Sequence, residues 1–456
     1  MNTFKFGYNF LMFSKIFFLL ILVLPIFSNG QETMTLEKCI NYALENNISI
    51  QQNQLDLEQK NYQLLKDKLS LLPSASGFVS QGYTYGNSLD YTTYEYVKEN
   101  TNSNYFSLSS DLTLFNGFRL QNNIRSSKFA LEASNYSYKN IKDQISMNVV
   151  ATYLQILMNI KQVKFAEDEL ALTDKLLDRA KLLVEVGQET KSKELELKAQ
   201  LAASEVSIVE AQNNLNQSYL TLKKILNWDI SKKLKIEEIT LDIEKYQGIT
   251  PKEIDGIVEE SLLSLPNVKR AKANYESAKY AYKAAKGLLY PSLGLSSSVN
   301  TRYSSSTNIL TGKTDPFNEQ IENNFGQSLN FGLNIPIFNN LQNSSVVNNA
   351  EISMKNAKLN LDDEKIQARN KVYEAFYNMN NAQKNFQASK NNLNAQQLLF
   401  EQSEIKYKAE VINFYDWQST INNLKKAQTS FLNSKFDYIY RIKIFDYYRG
   451  IPLKLN

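Results

Sequence analysis

The clearest pattern along the chain is strict alternation. From Phe325 to Ile337, Phe325, Leu329, Phe331, Leu333, Ile335 and Ile337 fall on one side of an extended strand, and Gly326, Ser328, Asn330, Gly332 and Asn334 on the other. An oily face backed by small polar residues suits a wall between lipid and an aqueous lumen better than a soluble sandwich. Pro336 ends this ladder, and a long polar helical pattern follows. Tyr105–Phe115 repeats the arrangement, setting Phe106, Leu108, Leu112 and Leu114 against Ser107, Ser109, Asp111 and Thr113. Phe78–Gly86 and Leu293–Tyr303 read as the strands before each of these. The two strand hairpins therefore cover about 75–115 and about 292–338, with polar stretches at 87–104 and 304–324 read as loops.

Between the strands the period changes to helical. No proline or glycine occurs from Leu120 to Val186, and Val149, Tyr153, Ile156, Leu157 and Ile160 recur at spacings of three and four. Roughly 67 residues at 1.5 Å each make a rod of about 100 Å, which belongs in a coiled coil or bundle. Gly187 ends it, and 192–227 reads as the returning helix. A second long pair follows at 342–409 and 415–448. Shorter helices are read at 35–46 and 48–72, the latter stopped by Pro73.

The chain is written twice. A shift of 218 lays Leu36, Ile40 and Leu44 on Ile254, Val258 and Leu262, and LPS at 72–74 on YPS at 290–292; beyond the loops the shift is 223, placing Phe115 on Phe338. The expected organisation is a first repeat over 31–227 with a helix pair at 120–227, a linker over 228–265, a second repeat over 266–450 with a helix pair at 342–448, and a tail at 451–456.

Composition narrows the function. Only 15 glycines and 8 prolines in 456 residues fit long uninterrupted helices, and the absence of histidine removes the commonest general base and transition-metal ligand. The single cysteine, Cys39, lies in an amphipathic pattern and reads as a small buried apolar residue. A net charge of +4 without a Lys/Arg run gives no argument for nucleic acid. Lys5 and Lys15 precede an apolar run at Ile16–Phe27, followed by small residues, so 1–30 reads as an export signal. No enzyme chemistry and no cofactor is expected.

Four strands cannot close a membrane barrel, since the smallest have about eight, and open edges in hydrocarbon cost several kcal/mol per unpaired group. Two, three or four copies would supply eight, twelve or sixteen strands. With LEKCINYALENN at 36–47, LPS and YPS before the strands, LFNGFR at 114–119, IPIFNN at 335–340, Val186-Gly187 and the duplicated layout, the chain resembles a TolC-type outer-membrane efflux protein over 34–450. The resemblance implies a mainly α fold with membrane β: a homotrimer whose long α-helical coiled-coil barrel continues into a shared transmembrane β-barrel of twelve strands. A mixed belt would take 34–47, 228–265 and 448–456. It implies a passive exit duct of a tripartite efflux or type I secretion system, set in outer-membrane lipid with a periplasmic helical tunnel. The implied partners are a periplasmic adaptor and an inner-membrane transporter. The rival reading is an exported coiled-coil or adhesin-type structural protein, which leaves the duplicated amphipathic strands unexplained.

By the same resemblance, the functional places are the two helix-turn-helix tips. Val186, Gly187, Ala409 and Glu410 are the adaptor-docking candidates, with Glu410 where a second tip glycine is expected. Asp416 falls on a family gate aspartate, Ser419 on a second, Tyr407 on a gate tyrosine, Lys193 where the first copy would carry a gate aspartate, and Ile412 where the type member has arginine. The expectation is a closing network of Asp416 with Lys193 or Tyr407. Asn116, Gly117, Pro336 and Asn339 mark the barrel-to-tunnel junctions, with Pro336 expected to help the second strand bend into its helix.

Overall fold

A computed structural model describes residues 33–451 apart from 90–93, 95, 99, 239–252 and 308–310. The expected signal segment and the last tail residues lie outside the described residues. The elements in chain order are α1 Leu36–Asn46, α2 Ile48–Leu69, β1 Ser74–Thr84, β2 Asn87–Leu89, β3 Tyr96–Lys98, β4 Thr101–Phe115, α3 Arg119–Glu185 and α4 Lys191–Leu226. The second half follows with α5 Ile254–Ser264, α6 Pro266–Lys286, β5 Ser292–Ser304, α7 Phe317–Asn323, β6 Gly326–Asn334, α8 Gln342–Lys408 and α9 Phe414–Tyr448. The long and short helices and the four main strands follow in the same order in both halves, whereas β2 and β3 occur only in the first and α7 only in the second. α1 and α5 each have 11 residues and start 218 positions apart, while α3 and α8 each have 67 and start 223 apart.

The helix ends follow local chemistry. Thr35 caps α1 by accepting from Lys38 N–H at 3.1 Å, and Asn47 ends α1 while its side chain accepts from Ser49 N–H to cap α2. Pro266 occupies the first turn of α6, where its missing N–H costs nothing. At any height the chain is four helices wide. Near the strands the neighbours run α2, α3, α6, α8; at the far end they run α4, α3, α9, α8. The largest apolar core lies half-way along α3 and α8, where Val149, Tyr153, Ile156, Val372 and Phe376 meet Leu222, Leu226, Ile439 and Phe445. This lies about 45 Å from the start of α3 at 1.5 Å per residue. Cys39 is fully buried here, its thiol pKa pushed up to about 12 by burial. A parallel bridge of Met34 with Ile236 and the Tyr153 hydroxyl donating to Glu237 O at 2.8 Å tie the belt to α3.

The four main strands form one antiparallel sheet in the order β1-β4-β5-β6. Residues directly opposite share a face, so the register sorts the whole sheet. Val79, Phe106, Leu108, Leu112, Leu295, Val299, Leu329, Phe331 and Leu333 lie on one side. Ser76, Ser107, Ser109, Ser296, Ser298, Asn300, Ser328 and Asn330 lie on the other, where Ser76–Ser109 and Ser298–Ser328 hydroxyl pairs sit 2.9 and 2.8 Å apart.

Three sequence expectations change. The stretch 87–104 is not simply a loop, because β2 and β3 pair within it and β4 begins at Thr101. The stretch 304–324 contains α7, whose Gln320 amide accepts from Ser304 N–H and donates to Ser304 O, standing in for a strand beyond the start of β6. The last strand stops at Asn334, before Pro336, because a residue without N–H cannot continue a ladder. The position matching Pro336 in the first copy is Thr113, where the β4–β5 register slips.

Candidate functional site

The junctions between strand and long helix are built alike in both copies. Gly117 and Phe118 take positive φ of 64° and 62°, as do Asn340 and Leu341 at 53° and 62°. Two consecutive left-handed residues turn the chain, and Gly or Asn at the first minimises the cost. Pro336 therefore ends the strand but does not make the turn. Gly117 also meets a close neighbour: a Cβ there would sit 2.7 Å from Gly287 O. Asn116 and Asn339 each offer a side-chain oxygen to the first turn of the following helix, to Leu120 N–H at 3.4 Å and Asn343 N–H at 3.5 Å. Asn343 in turn donates to Leu288 O at 2.9 Å, fixing α8 to the end of α6.

The far tips are also equivalent in backbone. After α3, Gln188 N–H reaches Leu183 O at 2.8 Å and Gly187 N–H reaches Val184 O at 3.1 Å, with Gly187 at φ 76°. After α8, Val411 N–H reaches Lys406 O at 2.8 Å and Glu410 N–H reaches Tyr407 O at 3.0 Å, with Glu410 at φ 58°. Glu410 thus adopts the left-handed conformation that its glycine counterpart adopts freely. Thr190 and Asn413 then cap the returning helices. Val186 and Val411 are exposed at the two turns.

Just behind the tips the two hairpins meet. Trp417 is 3% exposed and stacks on Tyr407 with centroids 4.5 Å apart and planes 4° apart. Phe414 stands edge-on to both and packs against the cluster of Leu177, Ala180 and Leu197 from α3 and α4. Lys193 of α4 lies with Nζ 2.8 Å from the Phe414 ring centroid and pairs with Glu196 at 3.3 Å. Burial lowers the Lys193 pKa in spite of Glu196 and Glu189, and burial raises that of the Tyr407 hydroxyl.

Among the expected gate residues, Lys193 and Tyr407 are therefore brought around one aromatic cluster, and Asp416 and Ser419 are not. Both are exposed on α9. The Asp416 N–H donates to Asn413 Oδ1 at 2.9 Å, and among the described residues no hydrogen bond or ion pair joins its carboxylate to Lys193 or Tyr407. Helical phase is the reason: Asp416 is one residue, about 100°, from the inward-facing Trp417. Sequence reasoning missed Phe414 and Trp417. Their signal was an aromatic pair three residues apart directly after a cap, which shares a helix face. The acidic run Asp362, Asp363 and Glu364 on α8 is spread over different partners: Lys358, Gln367, and Arg270 with Asn267. Among the described residues no cluster of acidic, cysteine or histidine side chains has metal-binding geometry, and no helix is long and apolar enough to cross a membrane.

A sheet with one lipid-like face, continuous with helices of about 100 Å and open at both sides, defines a subunit of a shared membrane-spanning tunnel. The sequence model of the outer membrane efflux protein family matches residues 39–227 and 257–439, and the chain belongs to that family. It is 19% identical over 327 residues to the outer membrane efflux protein BepC of Brucella suis biovar 1 (strain 1330), covering 72% of this chain and 67% of that one. It is 22% identical over 417 residues to the toxin and drug export protein A of Aggregatibacter actinomycetemcomitans, covering 89% and 83%. The fold is similar to the Campylobacter jejuni CmeC outer membrane channel, with a TM-score of 0.79 at 17% identity over 91% of this chain and 85% of that one. The protein is an outer-membrane exit duct for efflux systems.

Proposed function

We propose that three copies of this chain close one twelve-stranded barrel and one helical tunnel, and that the assembly is the passive outer duct of a tripartite efflux or type I secretion machine. The observation that carries this reading is the chemistry of the two open sides. On α2, Ile50, Leu57 and Leu64 face α3, while Ile48, Leu55, Tyr62 and Leu69 form a second stripe at sevenfold spacing and are exposed, Leu55 at 64%. On α8, Val347, Leu361, Ala368 and Ala375 face inward, while Ile352, Leu359 and Ile366 are exposed, Leu359 at 66%. In each helix the two stripes are offset by two residues, about 200°, so the exposed one points away from the rest of the chain. A neighbour's α8 against α2 removes both stripes from water as a coiled-coil seam, at about 1.5–3 kcal/mol per large side chain.

The strands agree with the helices. β1 and β6 are the outer strands of an alternating antiparallel sheet of four, so they run in opposite directions. A neighbour's β1 beside β6 continues the antiparallel pattern around the ring and leaves no edge in hydrocarbon. The coiled-coil adhesin reading has no use for such a sheet.

At the far end, the Lys193–Phe414 contact latches the two hairpins of one chain while the Tyr407–Trp417 stack ties α8 to α9 within the second, and Asp416 and Ser419 sit on the exposed surface beside them as pore-facing groups. The turns at Val186-Gly187 and Ala409-Glu410 are the docking points for a periplasmic adaptor, which joins the duct to an inner-membrane transporter. Native mass spectrometry of the detergent-extracted protein tests the assembly: three chains per particle is the expected result, and a single chain or a pair overturns it.

A further inference from the structure

Half-way along the wall, α9 ends at Tyr448 and α6 begins at Pro266 between the same two long helices, α3 and α8. Leu265, Val268 and Ala368 pack with Tyr447 and Tyr448 at this join, and the Ser261 hydroxyl donates to Tyr448 O at 2.6 Å. Beside the join lies a cleft of about 490 Å³, the size of a small-molecule site. Helical phase places it on the face away from the belt. On α3, Gln144 of the cleft is nine residues, about 180°, from Tyr153, whose hydroxyl bonds the belt at Glu237 O. On α8, Lys371 of the cleft is two residues, about 200°, from both Arg369 and Tyr373, which reach Glu259 and Asp255 of α5. The acids of the cleft differ in how they are answered. Glu364 meets Arg270 at 3.2 Å and the Asn267 amide at 3.0 Å. Asp143 is half-buried and takes the Tyr447 hydroxyl, and burial raises its pKa against the pull of Lys142 and Lys139, neither of which lines the cleft. A carboxyl kept where its charge is disfavoured lowers stability, and a cleft is where such a cost serves binding.

We infer that this cleft binds organic cations with an aromatic body, at belt height on the tunnel side, with Asp143 as the counter-ion. This deepens the proposed function and rests on the ring of chains: a belt on the inner face would fill the duct, so the face opposite the belt lines it. A bound cation supplies the opposite charge that the half-buried carboxylate lacks, and Tyr447 leaves it acceptor capacity to spare. Tyr447 and Tyr448, with ring centroids 5.2 Å apart and planes at 62°, add ring surface for a cation and for a flat body, and Met147, Leu265 and Ile444 add apolar contact. An anion fits less well, because it meets Asp143 and finds Arg270 already paired with Glu364. Three chains present three such clefts at one height, a resting place half-way along the tunnel.

The test is equilibrium dialysis of benzyltrimethylammonium at neutral pH against the purified full-length protein in nanodiscs of zwitterionic lipid, with empty nanodiscs as the blank. The expected result is saturable binding, at least fivefold weaker for tetramethylammonium, which keeps the charge and loses the ring, and at least fivefold weaker for benzenesulfonate, which keeps the ring and reverses the charge. Asp143→Asn is expected to weaken benzyltrimethylammonium binding at least fivefold and Asp143→Glu to restore part of it. The asparagine variant removes a disfavoured charge, so an unfolding midpoint at or above that of the parent shows that the loss is not a loss of fold. Equal binding of the aromatic cation and the sulfonate overturns the inference, as does unchanged binding in Asp143→Asn. Single-channel conductance of the same protein separates the two levels: a conducting channel that does not bind the cation overturns the inference alone, and protein that binds it but conducts nothing overturns the tunnel reading beneath it.

Discussion

Gly187 and Glu410 occupy the same left-handed position at the two tips, so their exchange isolates backbone cost from everything else. A side chain in this conformation costs about 1 kcal/mol relative to glycine. Glu410→Gly is therefore expected to raise thermal stability by about 1 kcal/mol and Gly187→Ala to lower it by about the same amount, both read from the unfolding midpoint of the detergent-solubilised protein. Gly117 is a harsher case. A methyl group there collides with the backbone of Gly287 as well as adopting a positive φ, and Gly117→Ala should cost about 2–3 kcal/mol, seen as loss of assembled protein from outer-membrane extracts while Gly187→Ala still assembles. In the belt, Asp143 accepts from the Tyr447 hydroxyl, yet burial raises its pKa against the pull of that bond and of Lys142 and Lys139. The folded chain then holds this proton to higher pH than the unfolded chain. The associated stability is complete below the ordinary carboxylate range and is lost as pH rises through the raised value. Asp143→Asn keeps an acceptor for Tyr447 and removes the charge, so the variant should match the parent in acid and exceed it at neutral pH; a difference of the opposite sign, measured by thermal unfolding at both pH values, contradicts this account.

Elements carry the next level of the account, and the sevenfold stripes on α2 and α8 are its most exposed commitment. Leu55→Glu or Leu359→Lys puts a charge into each seam without touching the core of the chain, so monomer fold by circular dichroism should persist while the oligomer band on an unheated gel is lost. Retention of the oligomer in both variants would refute the seam. How much of this was legible beforehand differs by element. Alternation in Phe325–Ile337 and the glycine-free run after Leu120 report strands and rods directly, because side-chain period is set by backbone geometry. The facing of β1 was less clear from its own residues, since Phe78 and Val79 give one large apolar residue to each side; only pairing with β4 assigns Val79 to the lipid face. α7 was hidden because its seven residues are too few to show a helical period. The Lys193–Phe414 contact joins residues 221 positions apart, and no local pattern announces which residue of one hairpin reaches the other. The equivalence of the two tips was obscured for a simpler reason: Glu410 makes the turn that Gly187 makes, with a residue type that sequence rules do not expect there.

For the whole molecule, the parts specify one object only when several copies meet. Each chain has a complete core at the belt, and elsewhere it is a curved wall with two unfinished sides, an apolar stripe on each outer helix and an unpaired strand at each end of the sheet. The predominance of small polar residues on one face of the sheet fits the wall of a conduit. In the proposed function the latch is the contact of Lys193 with Phe414 behind the tips. Single-channel recording of the purified full-length protein in planar bilayers tests that account most directly. A stable conductance is predicted, raised several-fold when Phe414→Ala and Lys193→Ala open the latch together, and raised also by Asp416→Ala at the pore surface. Folded, membrane-inserted protein that passes no current, in the parent and in the latch variant alike, would contradict it.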